Sequence, residues 1–257
     1  MPPLQYLRLI DVQARMALKA DASKFLLGYL WWILEPLLYV LVFYVVFDLI
    51  LDRRKADIIV FLMCGKFPFI WFARTVNQSS NSIVANVGLI GRVNVPKSLF
   101  PMAAVQANLY KQAVVFAFLI GFVLFRGYEP TLGWLWLLPI IAVQYILILA
   151  CALAGAIAVV YIRDFSMAIS LLITFLLFTS GIFWDVRDIG NPDLTELILL
   201  VNPLAFLLDA YREVLMYGGA PELEGLVRNA LLFSALTLLM LAYLRRTSQS
   251  LALRALS

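Results

Sequence analysis

Histidine is missing from the 257 residues, and only two cysteines occur. The first absence removes the commonest metal ligand and the commonest general base, so no metal site is expected. The second argues against a disulfide framework, because Cys64 and Cys151 both fall inside apolar runs. Charge is scarce too: Asp, Glu, Lys and Arg make up 14% of the chain, against about 25% in soluble domains. No GxxxxGK[ST] stretch occurs. The nearest candidate, Gly65-Lys66, lacks both the earlier glycine and the hydroxyl residue. That argues against a P-loop nucleotide site, and without HExxH, GxSxG or a clustered carboxylate pair there is no constellation for intramembrane hydrolysis. Internal repeats and low-complexity tracts are absent as well. The net charge of +4 needs only a basic membrane face, and no nucleic-acid partner is expected.

Apolar sequence is abundant. The chain is 63% hydrophobic, beyond the roughly 45–50% that a soluble fold can bury. A bilayer is the expected solvent, and the length suits one membrane domain. Each crossing needs about 20 predominantly apolar residues. Six runs qualify: 27–51, 58–72, 102–125, 132–162, 165–183 and 226–244. The second is short, but the polar tail 75–82 could carry its helix on into water. The first starts too late and runs too long for a cleaved signal peptide. With the N-terminus inside, ten Lys and Arg fall in cytoplasmic segments and seven outside, three of them in Arg53-Arg54-Lys55. This modest bias predicts cytoplasmic N- and C-termini. Eight acidic residues between Asp185 and Glu224 sharpen the contrast.

Outside the spans three regions stand out. Leu7, Ile10, Ala14, Ala17 and Leu18 recur at helical spacing opposite Arg8, Asp11, Arg15 and Lys19. This predicts an amphipathic helix in the inner interface, basic side toward anionic lipids. Residues 82–101 and the tight turn YIRDF face the cytoplasm. Residues 185–224 are too long for a plain connection. They contain two short amphipathic helices, near 193–200 and 203–217, with Pro203 at a first helical position and Gly218 just past the end. Helices too short to span suggest a lid or rim at the outer surface.

Within the spans, LGYLWWILEP sets a Glu-Pro pair among aromatics. A charge at mid-membrane costs roughly 2.5–3.5 kcal/mol. Glu35, Lys66 and Lys111 count to similar depths from the inner ends of their runs, which predicts a buried network pairing Glu35 with one of the lysines. Pro36 frees a carbonyl that a lysine could also serve. The alternative is that both lysines snorkel to the headgroups with Glu35 protonated. Tyr29, Trp32, Tyr39 and Phe43 follow one stripe of the first helix, and Phe175 and Phe178 bias the fifth span. Rings pack on the C–H faces of sugars, so the stripe fits a sliding channel surface. An interfacial belt or a lipid-facing stripe is the other reading of the same residues.

Taken in order, these stretches resemble the ABC-2-type permeases that export polysaccharides. LGYLWWILEP resembles the start of the family's first span, and its Leu-Glu-Pro form is closer to capsule exporters. IVANVGLIGRVNVPKSLFP resembles the cytoplasmic loop, with a Val-Pro-Lys-Ser form closer to O-antigen exporters. YIRDF resembles the turn after span four, and NPLAFLLDAYREVLM the signature before the last span. The resemblance implies a homodimeric inner-membrane permease that docks two copies of a separate ATPase, which holds the ATP and Mg, and moves a lipid-linked glycan outward. It implies no cofactor in this chain. It places an interface helix at 4–19, coupling residues at Asn86, Leu89, Arg92, Arg163 and Asp164, and periplasmic gate helices carrying Asn202, Pro203, Tyr211 and Arg212. The expected layout is residues 1–24 as interface helix, 27–184 as spans one to five, 185–224 as gate segment, and 226–257 as span six and tail. A drug or small-lipid exporter of the same fold is the alternative within transport. A proton-coupled carrier or a membrane scaffold is the alternative outside it.

Overall fold

The computed structural model describes residues 3–23, 28–46, 57–90, 95–247 and Arg254. In chain order the helices are α1 (Pro3–Ser23), α2 (Trp31–Phe43), α3 (Ile58–Ser80), α4 (Ser82–Ala85), α5 (Val87–Ile90), α6 (Leu99–Phe125), α7 (Leu137–Tyr161), α8 (Phe165–Thr179), α9 (Pro192–Val201), α10 (Pro203–Leu215) and α11 (Leu223–Arg246). No strand occurs among the described residues, and the chain is an all-α, multi-pass membrane protein. Among the described residues five helical segments are long and apolar enough to cross a bilayer: Gly28–Val46, Ile58–Ser80, Leu99–Phe125, Leu132–Tyr161 and Leu223–Arg246.

The fifth expected crossing has a shorter helical segment than the other five. The fifth apolar run forms only the 15-residue α8, about 22 Å at 1.5 Å per residue, short of the roughly 30 Å hydrocarbon layer. After it, α9 and α10 form an apolar pair bent by 109° whose flanking residues Asp188 and Tyr217 line one pocket, so the pair re-enters from the side it started on and α8 with its continuation makes the crossing. The same packing explains why α8 stops early. Its continuation reaches Ile182, whose Cα lies 3.5 Å from where a Cβ on Gly65 would stand. Gly65 is seven residues into α3, about 10 Å from that helix's end. The remaining depth is occupied by α10.

The prediction of two short helices at the outer surface is therefore corrected for the second. Leu204 to Arg212 are all buried, as are Val214 and Leu215. The amphipathic pattern was real, but Tyr211 and Arg212 pair inward, while Asp209 and Glu213 meet the half-exposed Arg187 at the rim.

At the centre stands α3, packed between α6, α7 and α10, with Val60, Met63, Cys64 and Phe67 almost wholly enclosed. The helix does run on to Ser80, as the polar tail suggested, but the tail is mostly buried, with Gln78 exposed. Thr75, Ser79 and Ser80 are fully buried. Thr75 donates to the Trp71 carbonyl at 2.6 Å and Ser80 to the Val76 carbonyl at 2.7 Å, so both hydroxyls are satisfied within their own helix. Small side chains then let α7 approach closely. A Cβ on Gly155 would come within 2.1 Å of Ser80 Oγ.

The α1 helix docks along the first half of α6. Ile10, Ala14, Leu18 and Ala22, spaced by four, form its buried edge. Tyr6 Oη lies 2.7 Å from Ser98 Oγ at one end, and Lys111 Nζ donates to Asp21 at 2.8 Å at the other. The predicted apolar face is thus used in part: Ile10, Ala14 and Leu18 are buried, while Leu7 is exposed.

Candidate functional site

Four residue groups singled out in the sequence occupy distinct places. The first is a cleft between α2, α3 and α6, lined by Trp32, Glu35, Pro36, Tyr39, Arg74 and Lys111, among others. It brings together two of the predicted channel aromatics and two of the three predicted charges. The pairing, however, is not the predicted one. Glu35 accepts a hydrogen bond from Arg74, and Lys111 is held by Asp21. Among the described residues neither lysine is bonded to Glu35 or to the carbonyl freed by Pro36. The physical reason is the length of α3: because the helix continues past residue 72, Arg74 presents a guanidinium to the second turn of α2. The docking of α1 meanwhile supplies Lys111 with a closer carboxylate. Arg74 carried the missed signal, a base within the helical extension of span two.

Lys66 has a different role. Its ammonium lies 5.6 Å from the Tyr39 ring centroid and 5.9 Å from that of Phe183, within the range of cation–π attraction. The half-buried lysine thereby links the aromatics of α2 to those beyond α8.

The aromatic stripe divides accordingly. Tyr29 meets Trp32 edge-to-face at 5.0 Å, and Trp32 and Tyr39 line the cleft. Phe43 is a correction: it is 6% exposed, packed beside Tyr39, and presents no open surface. Phe175 and Phe178 are exposed on α8. The apolar outer faces of α2 and α8 have few neighbours within the chain, the Ile33, Leu37 and Leu41 side of α2 and the Met167 and Leu171 side of α8 being open.

The third group shapes the re-entrant bend. Asn202 Oδ1 accepts from the backbone N–H of Leu204 and Ala205 at 3.1 and 3.2 Å, and its amide donates to Ser180 Oγ at 3.1 Å. Pro203 at the first helical position has no N–H to lose. The Asn-Pro pair therefore caps α10, ends α9 and ties the bend to α8. Tyr211 donates to Gln144 at 2.7 Å, and Gln144 in turn donates to the Pro68 carbonyl at 2.8 Å. Arg212, 2% exposed, donates to the Ile182 and Phe61 carbonyls at 3.2 and 3.4 Å and lies 3.5 Å over the Phe61 ring. Gly65 leaves room for that guanidinium, since a Cβ there would sit 2.6 Å from it. On the adjoining rim Arg187 grips Asp209 in a two-pronged bond at 3.0 and 2.8 Å. That hydrogen bond raises the Arg187 pKa further above its ordinary value.

The fourth group gathers at the end of the bundle that carries α4. Ile83 is fully buried in a cluster with Phe100, Leu153, Val160 and Leu244, which fixes α4 to α6, α7 and α11. Asn86 donates to the Ser82 carbonyl at 2.7 Å, closing α4. Leu89 is exposed on α5, and Arg163 and Asp164 are exposed on the α7–α8 turn. Arg92 lies outside the described residues. Sequence reasoning missed the Tyr161–Tyr243 hydroxyl contact at 2.7 Å that braces this end.

A membrane bundle with a docked N-terminal helix, a re-entrant pair before the last span and two exposed loops at one end has a matching family. Residues 23–216 match the ABC-2 type transporter family. The chain belongs to the ABC-2 type transporters. An O-antigen export system permease protein RfbA of Klebsiella pneumoniae is 30% identical to this transporter over 211 residues, 82% of this chain and 81% of that protein. The RfbA of Myxococcus xanthus is 25% identical over 226 residues, 88% and 87% of the two chains. The polysialic acid transport protein KpsM of Escherichia coli is 31% identical over 235 residues, 88% of each. As a member of the ABC-2 family, this chain is a transporter permease subunit.

Proposed function

We propose that this chain is the permease subunit of an ATP-driven exporter, moving a lipid-linked polysaccharide of O-antigen or capsule type across the bacterial inner membrane. The observation that carries the reading is the near full-length similarity to permeases named for O-antigen export and for polysialic acid transport. The geometry supports it. The apolar faces of α2 and α8 are open in the single chain, which fits a homodimer whose second copy, together with lipid, covers them. Asn86, Leu89, Arg163 and Asp164 share one end of the bundle, a surface suited to two copies of a separate ATPase that binds ATP and Mg. That end is taken as cytoplasmic, with both termini inside and the re-entrant α10 near the periplasmic side. The aromatics Tyr29, Trp32, Tyr39, Phe175 and Phe178 offer stacking surface to a glycan chain. Lys66 bridges the two sets, and Asn202, Pro203, Tyr211 and Arg212 hold the gate.

The test is reconstitution with a partner ABC ATPase. The purified permease alone should hydrolyse no ATP, and surface glycan should appear in a permease-deleted strain only when both chains are expressed. Asp164→Lys should lower export at least about tenfold with folded yield unchanged, because a charge reversal on an exposed turn alters docking and not the buried bundle. ATP turnover by this chain alone, or full export without an ATPase, would refute the assignment.

A further inference from the structure

At the end opposite α4, the start of α3, the segment after α8 and the end of α10 enclose a pocket of about 470 Å³. That is within the roughly 300–1,000 Å³ of small-ligand sites. Four rings line it, Phe61, Phe183, Trp184 and Tyr217, with three carboxylates, Asp57, Asp185 and Asp188. Phe61 is covered by Arg212 and Phe183 meets Lys66 on one side, whereas Trp184, Asp185 and Asp188 belong to neither the gate nor the cleft.

The rings are held in place. Trp184 Nε1 donates to the Phe178 carbonyl at 2.9 Å, and Phe183 packs on Phe178 at 6.1 Å between centroids. Phe183 and Tyr217 are 40% and 60% exposed, so their faces remain open. Burial, together with the neighbouring Asp185 and Asp188 carboxylates, pushes the Tyr217 phenol up, against an opposing pull from Arg212. The phenol and the two acids therefore border the same space. Asp57 sits in the left-handed region at φ 79°, the only non-glycine residue with positive φ among those described. Such strain tends to collect where a side chain is aimed for use. Asp57 is within 3.9 Å of Arg126, whereas Asp185 and Asp188 have no ion pair among the described residues. Arg187, their chain neighbour, is turned away onto Asp209 and Glu213.

Fixed rings beside carboxylate acceptors suit a ligand with C–H faces and many hydroxyl donors. We propose that this pocket is a carbohydrate subsite at the exit end of the permease, taking sugar rings of an uncharged glycan. The inference rests on the polysaccharide-export reading and narrows its substrate class. Sugar faces stack on Trp184 and Phe183 while hydroxyls donate to Asp185 and Asp188. A polyanionic chain meets unpaired carboxylates and is disfavoured by like charge.

The experiment uses the full chain in lipid nanodiscs and saturation-transfer NMR with two probes, mannotetraose and the tetramer of sialic acid. Transfer to mannotetraose is expected, with little to the sialic acid tetramer. Trp184→Ala should weaken mannotetraose binding about tenfold, in keeping with loss of one stacked ring and its buried area. Trp184→Phe, which keeps a ring, should restore most of it and controls for folding. Asp188→Lys should shift preference toward the anionic probe. Absence of transfer to mannotetraose, or equal binding by Trp184→Ala, overturns the subsite. A stronger signal from the sialic acid tetramer overturns the preference. Glycan export by the intact transporter is scored separately. Export without binding refutes the subsite and leaves the transport reading standing; binding without export does the reverse.

Discussion

Two helices of nearly equal apolarity have opposite fates. The span containing α2 has a mean hydropathy of 1.8 and only 11% of it is buried, whereas α3, at 1.5, is 67% buried. Hydropathy brings both into the membrane but does not choose which one the bundle encloses. Lipid tails are as apolar as leucine, so no hydrophobic force drives helix against helix there. Close approach and internal hydrogen bonding decide instead. The α3 helix carries Gly65 and Ser80, which admit Arg212 and the α7 backbone at Gly155, and its carbonyls at Phe61 and Pro68 are served by Arg212 and Gln144. The α2 helix presents Ile33, Leu37, Leu38 and Leu41 outward, with no small residue there to seat a neighbour.

The largest effect should come from blocking that close approach. Gly155→Val would place carbon atoms on the Ser80 hydroxyl, with the Cβ already 2.1 Å from Oγ. Loss of most monodisperse protein is expected in fluorescence-detected size exclusion, and Ser80→Ala should recover part of a Gly155→Ala variant. A comparable enlargement on the open face, Leu38→Phe, should leave folded yield within about twofold of the parent, since exposed positions usually shift stability by no more than about 0.5 kcal/mol. Equal damage at both positions would dissolve the contrast between the two helices.

A smaller effect belongs to the seam between them. Glu35 and Arg74 join α2 to α3, and their side chains are 25% and 40% exposed, so solvent screening limits the pair to about 1 kcal/mol. Glu35→Gln and Arg74→Gln should each lower the thermal midpoint in detergent by a few degrees, with the double variant less affected than the sum. Strict additivity there, or coupling of Glu35 to Lys66 or Lys111 in the same cycle, would restore the pairing expected from depth alone.

The smallest effect concerns the contact of α1 with α6. The hydrogen bond from Tyr110 holds the Asp11 carboxyl below its ordinary value of 3.8, aided by Arg15. A lowered folded-state pKa means that this stabilisation is present above pH 3.8 and is lost as pH falls through the folded value. A spin label at the exposed Met16 should therefore gain mobility as the medium is acidified below that point, and Asp11→Asn should flatten the response. An unchanged profile in Asp11→Asn would assign α1 docking to Tyr6 and Asp21 alone.

Much of the architecture could be read without coordinates because its signals are local. Apolar run length located the spans, helical spacing located α1, and the Asn-Pro pair with Gly218 bounded α10. The candidate site was less legible because its contacts join distant residues. Depth counting placed Glu35 beside two lysines, but it measures position along an axis and cannot tell which side of a helix faces which neighbour. Arg74 was nearer because α3 runs on to Ser80, and Lys111 was taken because α1 lies along α6. The reading of α10 as a surface rim failed in the same way, since an amphipathic pattern shows that two environments differ and not that either one is water.

Composition and run length by themselves determined that this chain dissolves in a bilayer as helices, because every backbone amide in hydrocarbon must be paired within its own segment. Short-range chemistry also determined where the chain bends, since proline lacks an N–H and an asparagine just before it can cap the new helix. Only the tertiary structure decided which apolar helix is enclosed, which charges meet and how deep α10 lies. Those outcomes depend on a glycine opposite a serine or a guanidinium, at separations as long as the 151 residues between Phe61 and Arg212. Steric fit and hydrogen bonding across such distances leave no periodic trace in the sequence.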